Sequence, residues 1–151
     1  MASTDVFNPS AFRTISSLHG AYESFKSRNG DEFVETKLKP LFLQHNVVNS
    51  FCVNLVHRHF ELDDGTMIVE KNNISTPWLV PENMKKHGGT VHPTSWLLYD
   101  DKGCPYEFTF VPADGKSPPS IGDHKTFVEE YFVMVKEAGL GQVLGLHSIY
   151  D

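Results

Sequence analysis

The chain is poor in cysteine and has no long apolar segment, and both scarcities exclude classes of protein. Its 151 residues include only Cys52 and Cys104, which is too few for a disulfide scaffold and typical of free thiols in a reducing compartment. No apolar run approaches the ~18 residues that a membrane-spanning helix needs. The opening MASTDVFNPS lacks the basic and apolar regions of a secretory signal. A cytoplasmic protein is therefore expected.

Basic charge is also scarce. Lys and Arg number 13 against 19 Asp and Glu, which gives a net charge of −6, and no stretch concentrates the basic residues. A surface for a phosphate backbone is therefore not expected, so neither nucleic acid nor a membrane is a predicted partner. The expected partner is a small-molecule ligand, and a homodimer is kept open for assembly. No phosphate-binding loop, dinucleotide fingerprint or Cys-x-x-Cys pair occurs.

Apolar residues, in contrast, are plentiful enough for one core. They make up 40% of the chain and include eleven Phe, so a single globular domain over residues 1–151 is predicted. A first helix begins after Asn8, a good N-cap followed by Pro9, and ends at Asn29-Gly30. A second helix follows Asp31, and Pro40 is expected to kink it.

The last predicted helix spans residues 124–139, with Asp123 as its cap. Apolar residues at helical spacing define its buried stripe: Phe127, Val128, Tyr131, Phe132 and Val135. It is followed by a final strand in QVLGLHSIY.

Strands fill the region between these helices. Residues 48–73 predict a β-hairpin around the DDG of 63–65, and residues 94–112 predict a second one, with its turn near 100–103. Residues 74–93, rich in proline and glycine, predict a loop. The expected fold class is α+β: a mainly antiparallel sheet of about five strands, covered by two N-terminal helices and one C-terminal helix.

The first hairpin carries His57 and His59, which lie two residues apart and so share one face of a strand. What lies opposite them depends on the turn. A two-residue turn places Glu70 opposite His59 and Asn72 opposite His57, which gathers groups for acid–base chemistry. A three-residue turn places Glu70 opposite Arg58 instead, as an ion pair. Both turns are common, and the sequence leaves the choice open.

A second candidate region is HGGTVHPTSW, residues 87–96. Gly88 and Gly89 allow backbone to approach a ligand closely, and His92 is held extended by the proline after it. Trp96 is the last residue of this segment. Ser95 would need a base nearby to act as a nucleophile.

These features favour a small cytosolic enzyme that uses histidine acid–base chemistry on a small organic substrate, as a lyase, isomerase or hydrolase without a nucleotide cofactor. The alternative is a non-catalytic module that binds a small molecule or a protein, and the sequence does not decide whether the chain is an enzyme. No cofactor or metal site is assigned, although a divalent metal stays a minor alternative. The predicted catalytic residues are His57, His59, Glu70 and His92. The predicted substrate-binding residues are Arg58, Asn72, Gly88, Gly89 and Trp96.

Overall fold

Six strands form one mixed sheet in the computed structural model, which describes residues 7–58, 61–79 and 85–150. The strands are β1 (Phe51–Leu55), β2 (Met67–Lys71), β3 (Ile74–Trp78), β4 (Gly89–Tyr99), β5 (Lys102–Pro112) and β6 (Leu144–Ser148). Their order across the sheet is β1-β6-β4-β5-β2-β3. All neighbours are antiparallel except β2 and β5, which are parallel. The α+β class is confirmed, with six strands rather than five.

The predicted hairpin across DDG is wrong, because β1 and β2 do not pair. Three strands separate them, a distance of roughly 19 Å at the usual strand spacing. The DDG does form a turn, since Thr66 N–H donates to Asp63 O over 3.1 Å and Gly65 has a φ of 81°. However, the chain leaves β1 with Val56 N–H bonded to Val143 O and Arg58 N–H bonded to Ser16 O. It therefore does not fold back along β1.

Two other turns close the real hairpins. Asn72 and Asn73 join β2 to β3, and Asp100 and Asp101 join β4 to β5. All four have a φ between 54° and 65°, as a two-residue hairpin turn with the correct twist requires. Asn and Asp tolerate this left-handed region better than other non-glycine residues. The second predicted hairpin is confirmed, whereas part of the predicted 74–93 loop is β3 and the beginning of β4.

The first predicted helix is two helices, α1 (Pro9–Arg13) and α2 (Leu18–Ser27). The Asn8 cap is confirmed, because its side chain accepts from Ser10 N–H at 2.9 Å. Ser17 caps α2 by accepting from Gly20 N–H at 3.1 Å. Two caps therefore divide one apolar pattern into two helices.

The second predicted helix comprises α3 (Gly30–Phe33), a π-helical turn (Val34–Leu38) and α4 (Lys39–Gln44). Pro40 cannot donate a backbone hydrogen bond and would crowd the preceding turn of a regular helix. The π-helical turn just before Pro40 is wider than a regular α-helical turn and accommodates the proline, at the place where the sequence predicted a kink.

The C-terminal helix α5 (Lys125–Glu137) buries the whole stripe predicted for it. Asp123 does not cap it: a 3₁₀ turn (Ile121–His124) precedes α5, and Ser120 caps that turn by accepting from Gly122 N–H. Within the described residues, no helix is both long and apolar enough to cross a membrane.

Helices pack on both faces of the sheet. Trp96 and Leu146 belong to the apolar cluster that contains the α5 stripe, and we call their side of the sheet the α5 face. The neighbouring Leu97 packs with Phe12 and Val56 in a second cluster, on the opposite side, the α1 face. Because successive strand residues alternate between faces, the sheet lies between the two clusters.

Candidate functional site

A cleft of about 620 Å³ opens between β2, β5 and the end of β6. We call it the polar cleft, because carboxylate, amide, hydroxyl, imidazole and ammonium groups line it. Residues that contribute such groups include Glu70, Lys71, Asn72, Thr109, His147 and Tyr150. Its volume lies within the range of small-molecule sites.

His147 reaches the cleft because of its position in β6. Its neighbour Leu146 is fully buried on the α5 face, so strand alternation directs His147 to the α1 face. There it lies beside Ser95 on β4, which is its partner in the strand register.

A chain of hydrogen bonds joins three residues of different strands at this point. Ser95 Oγ donates to Glu107 Oε1 over 2.7 Å, and the same oxygen lies 2.5 Å from His147 Nδ1. A serine hydroxyl has one hydrogen, and Glu107 receives it. His147 Nδ1 must therefore carry a hydrogen and donate it to Ser95.

This arrangement fixes which imidazole nitrogen can act as a base. A neutral imidazole holds one hydrogen, and Ser95 keeps it on Nδ1. Nε2 of His147 then carries the lone pair, while the ring lines the polar cleft. A partner on one nitrogen commonly sets the tautomer of a working histidine in this way.

Two further residues, Asn54 and Tyr106, adjoin this network, and a side-chain hydrogen bond joins Tyr106 to Ser95. The Asn54 amide donates to the Tyr106 hydroxyl over 2.5 Å. Burial raises the pKa of Tyr106 well above its ordinary value, and the negative charge of Glu107 adds to the effect. Tyr106 therefore stays a neutral phenol. The Asn54 Oδ1 atom is buried and has no partner among the described residues.

The other end of the cleft is formed by Tyr150 and Glu70. The Tyr150 hydroxyl donates to Glu70 Oε1 over 2.8 Å. Burial and, next to it, the hydrogen bond to Glu70 together raise the pKa of Tyr150 to about 12. Tyr150 is thus a protonated donor at neutral pH, and it holds the Glu70 carboxylate in position.

The structure brings two of the predicted site residues, Glu70 and Asn72, into the polar cleft. A third, His92, lies in the same row across the sheet, because His92 and Glu70 are both register partners of Thr109. Two strand spacings, roughly 10 Å, separate them. His92 Nε2 hydrogen bonds with Thr90 Oγ1 at 2.7 Å.

The histidines of the opening strand do not join this group. His57 follows β1 at the far side of the sheet, with Nδ1 2.8 Å from Leu55 O, and His59 lies outside the described residues. Arg58 forms an ion pair with Glu61 over 3.4 Å rather than with Glu70. Neither predicted register applies, because both required β1 and β2 to be neighbours.

The remaining predicted substrate-binding residues have other surroundings. Trp96 is fully buried, and its ring packs edge-on against Phe51 with centroids 6.2 Å apart. Gly88 and Gly89 lead into β4 with positive φ values. A Cβ on Gly89 would lie 2.5 Å from Val111 O, so this glycine serves the close approach of β4 to β5.

Sequence reasoning missed His147, Glu107 and Tyr150. The signal available for His147 was a single ionisable residue within the apolar strand VLGLHSI, since such a residue on a buried strand needs a polar partner. Nothing local identified Ser95 as that partner, because 52 positions separate the two residues.

Thiol and metal chemistry receive little support from the described residues. No group of three or more His, Cys, Asp or Glu side chains among them could hold a metal ion. Both cysteines are free. Cys104 is buried in β5 and burial raises the pKa of its thiol, which disfavours the reactive thiolate.

Comparison with known proteins adds no relative: no family model, no curated protein and no solved structure matches the chain.

Proposed function

We propose that the polar cleft binds a small polar organic molecule and that His147 transfers a proton to or from it. The observation that carries this proposal is the hydrogen-bonded chain Glu107–Ser95–His147, which ends at the cleft. The reaction class is proton transfer of the kind that lyases, isomerases and hydrolases use, because a positioned imidazole works well near neutral pH.

In this mechanism Nε2 of His147 removes a proton from the bound molecule. The imidazolium that forms keeps its Nδ1 hydrogen on Ser95, whose hydroxyl remains bonded to the Glu107 carboxylate. The hydrogen-bonded chain thereby holds the ring in one orientation while Nε2 takes up the proton. Ser95 is a positioning residue and not a nucleophile, because it is fully buried.

Glu70 and Tyr150 have a binding role in this proposal. Glu70 accepts from Tyr150 through Oε1, and its second oxygen remains an acceptor for a hydroxyl or amine of the substrate. Lys71 and Lys116 line the same cleft and suit an anionic group on the substrate.

The tautomer of His147 gives the first test. Long-range proton–nitrogen NMR spectra of the wild-type chain should assign the hydrogen of neutral His147 to Nδ1. Ser95→Ala should release this constraint and shift the ring toward the Nε2 tautomer. Glu107→Gln keeps the shape of the side chain and removes only its charge, so it disturbs the network less than Ser95→Ala does. A wild-type ring with its hydrogen on Nε2 contradicts the proposal.

A ligand screen gives the second test. Thermal unfolding is measured with a panel of hydroxy acids, amino acids and sugar phosphates, and each stabilising compound is followed by NMR for conversion. His147→Gln should lower turnover by about 10²–10⁴-fold, while His19→Gln, on the exposed face of α2, should leave it unchanged. If no compound stabilises the wild type more than it stabilises the His147→Gln variant, the proposed site is refuted.

A binding module without catalysis is the second candidate. The hydrogen bond from Tyr150 holds the Glu70 carboxylate in place, which also fits a site built for recognition alone. Compounds that bind at the cleft but undergo no conversion favour this alternative. The cytoplasmic location is part of the same proposal, supported by two free cysteines, and the homodimer stays a prediction.

A further inference from the structure

A second depression, of about 440 Å³, lies between α5 and the β4–β5 hairpin. We call it the apolar groove. It differs from the polar cleft in position, because none of its residues lines the cleft. Its floor consists of apolar side chains from β4, the 3₁₀ turn and α5: Leu98, Ile121, Val128, Phe132 and Val133.

The groove arises from one departure from the usual pattern of a surface helix. Val133 follows the buried Phe132 on α5, and this apolar residue is 53% exposed. Gly103 opposes the helix here, and a Cβ at that position would lie 2.7 Å from the Phe132 ring. The missing side chain lets Phe132 lie against the hairpin as part of the floor.

The rim of the groove carries more positive charge than the chain as a whole. Lys136 is neutralised, because it forms an ion pair with Asp101. Lys102 and Lys125 also line the groove, and neither has a carboxylate partner within the part of the chain that the structure describes. Lys102 and Lys125 therefore place two ammonium groups beside an apolar floor, in a protein with a net charge of −6.

We propose that the apolar groove binds an amphipathic monocarboxylate with a linear apolar tail. The tail covers the exposed apolar floor, which removes that surface from water, and the carboxylate meets the ammonium groups of Lys102 and Lys125. Glu129 lines the groove as well, so a second negative charge on the ligand would be repelled. This ligand is independent of the molecule proposed for the polar cleft.

Decanoate and decylamine form a matched pair of probes, with the same tail and opposite head-group charge. Both are titrated into the full chain below their micelle concentrations and followed by proton–nitrogen NMR. Decanoate should shift the backbone signals of α5 and residues 98–103, with a one-to-one stoichiometry. Decylamine should bind at least about tenfold more weakly, because its ammonium group faces two lysines.

Variants separate the head-group contact from the tail contact. Lys125→Gln and Lys102→Gln should each weaken decanoate binding about two- to fivefold, the effect of losing one exposed ionic contact, without weakening decylamine binding. Val133→Ser should weaken both probes alike. Lys85→Gln, an exposed lysine outside the groove, is the control and should change neither affinity.

Three outcomes overturn the proposal. Equal affinities for decanoate and decylamine would remove the role of the lysines. Signal changes confined to residues outside the groove would remove the site. Binding to phosphatidylglycerol vesicles that Lys125→Gln abolishes, together with no binding of free decanoate, would identify the rim as a membrane contact instead.

Discussion

The polar cleft and the apolar groove differ in what holds their side chains. At the cleft, His147 is held from behind by Ser95 and Glu107, and these three residues from three strands fix one another through hydrogen bonds. In the groove, Val133 is exposed, and Lys102 is the first residue of β5, directly after the turn. A site made of mutually bonded groups costs stability when any member is lost. A site made of exposed groups can change with little cost to the fold.

The largest effect should come from a glycine behind the cleft. A Cβ on Gly145 would lie 2.5 Å from Trp96 O, 2.8 Å from Val56 Cγ2 and 2.9 Å from Asn54 Oδ1. Gly145→Ala should therefore lower the free energy of unfolding by about 3 kcal/mol, as measured in urea. The control is Gly122→Ala in the groove, where the nearest atom to a Cβ is 3.6 Å away. Equal losses in the two variants would contradict the comparison.

Ser95→Ala should have the next largest effect. Ser95 is fully buried, and its removal leaves Glu107 and His147 without the oxygen that joins them. We expect a loss of about 2 kcal/mol in the free energy of unfolding, again from urea unfolding. A loss below about 0.5 kcal/mol would mean that water replaces the hydroxyl easily and that the network is not rigid.

Tyr150→Phe should have a smaller effect that depends on pH. The folded state raises the pKa of Tyr150 from 10.0 to about 12, so between these values the unfolded chain has lost a proton that the folded chain keeps. Stability from Tyr150 is therefore complete below pH 10 and falls as the pH rises toward 12.

The measurement is the difference in unfolding free energy between wild type and Tyr150→Phe, taken from pH 8 to pH 12. It should be largest at the low end and decrease above pH 10. A difference that stays constant over this range would show that the pKa of Tyr150 is not raised by folding.

Val133→Ser should have the smallest effect on the fold. The side chain is half exposed, so its replacement should change the free energy of unfolding by less than about 0.5 kcal/mol. Together with Ser95→Ala this variant sharpens the contrast between the two sites. A larger loss would place Val133 in the supporting core rather than on a binding surface.

Sequence patterns predicted the elements whose signals are local. The buried stripe of α5, the Asn8 cap, the β4–β5 hairpin and β6 all depend on residues a few positions apart. The partner of β1 was not predictable in this way, because a turn signal such as DDG specifies a change of direction and not a pairing. The KNNI segment at 71–74 closes a hairpin without any glycine, so its turn was missed.

The candidate site was less predictable still, since distant segments meet there. Ser95 and Glu107 lie 12 positions apart, and Tyr150 reaches Glu70 across 80 positions. Glu70 and Asn72 were identified as polar residues on a strand. Their actual neighbours depend on the order of strands across the sheet, which no local pattern encodes.

The pairing of β1 with β6 has a consequence for how the chain is made. On a ribosome, residues 51–55 emerge long before residues 144–148, their only strand partner in the described sheet. Contacts so far apart in sequence form slowly, and an unpaired strand is open to association with other chains. Synthesis that stops short of residue 144 would leave β1 without a partner and His147 absent, so an incomplete chain would lack both its sheet edge and its proposed base.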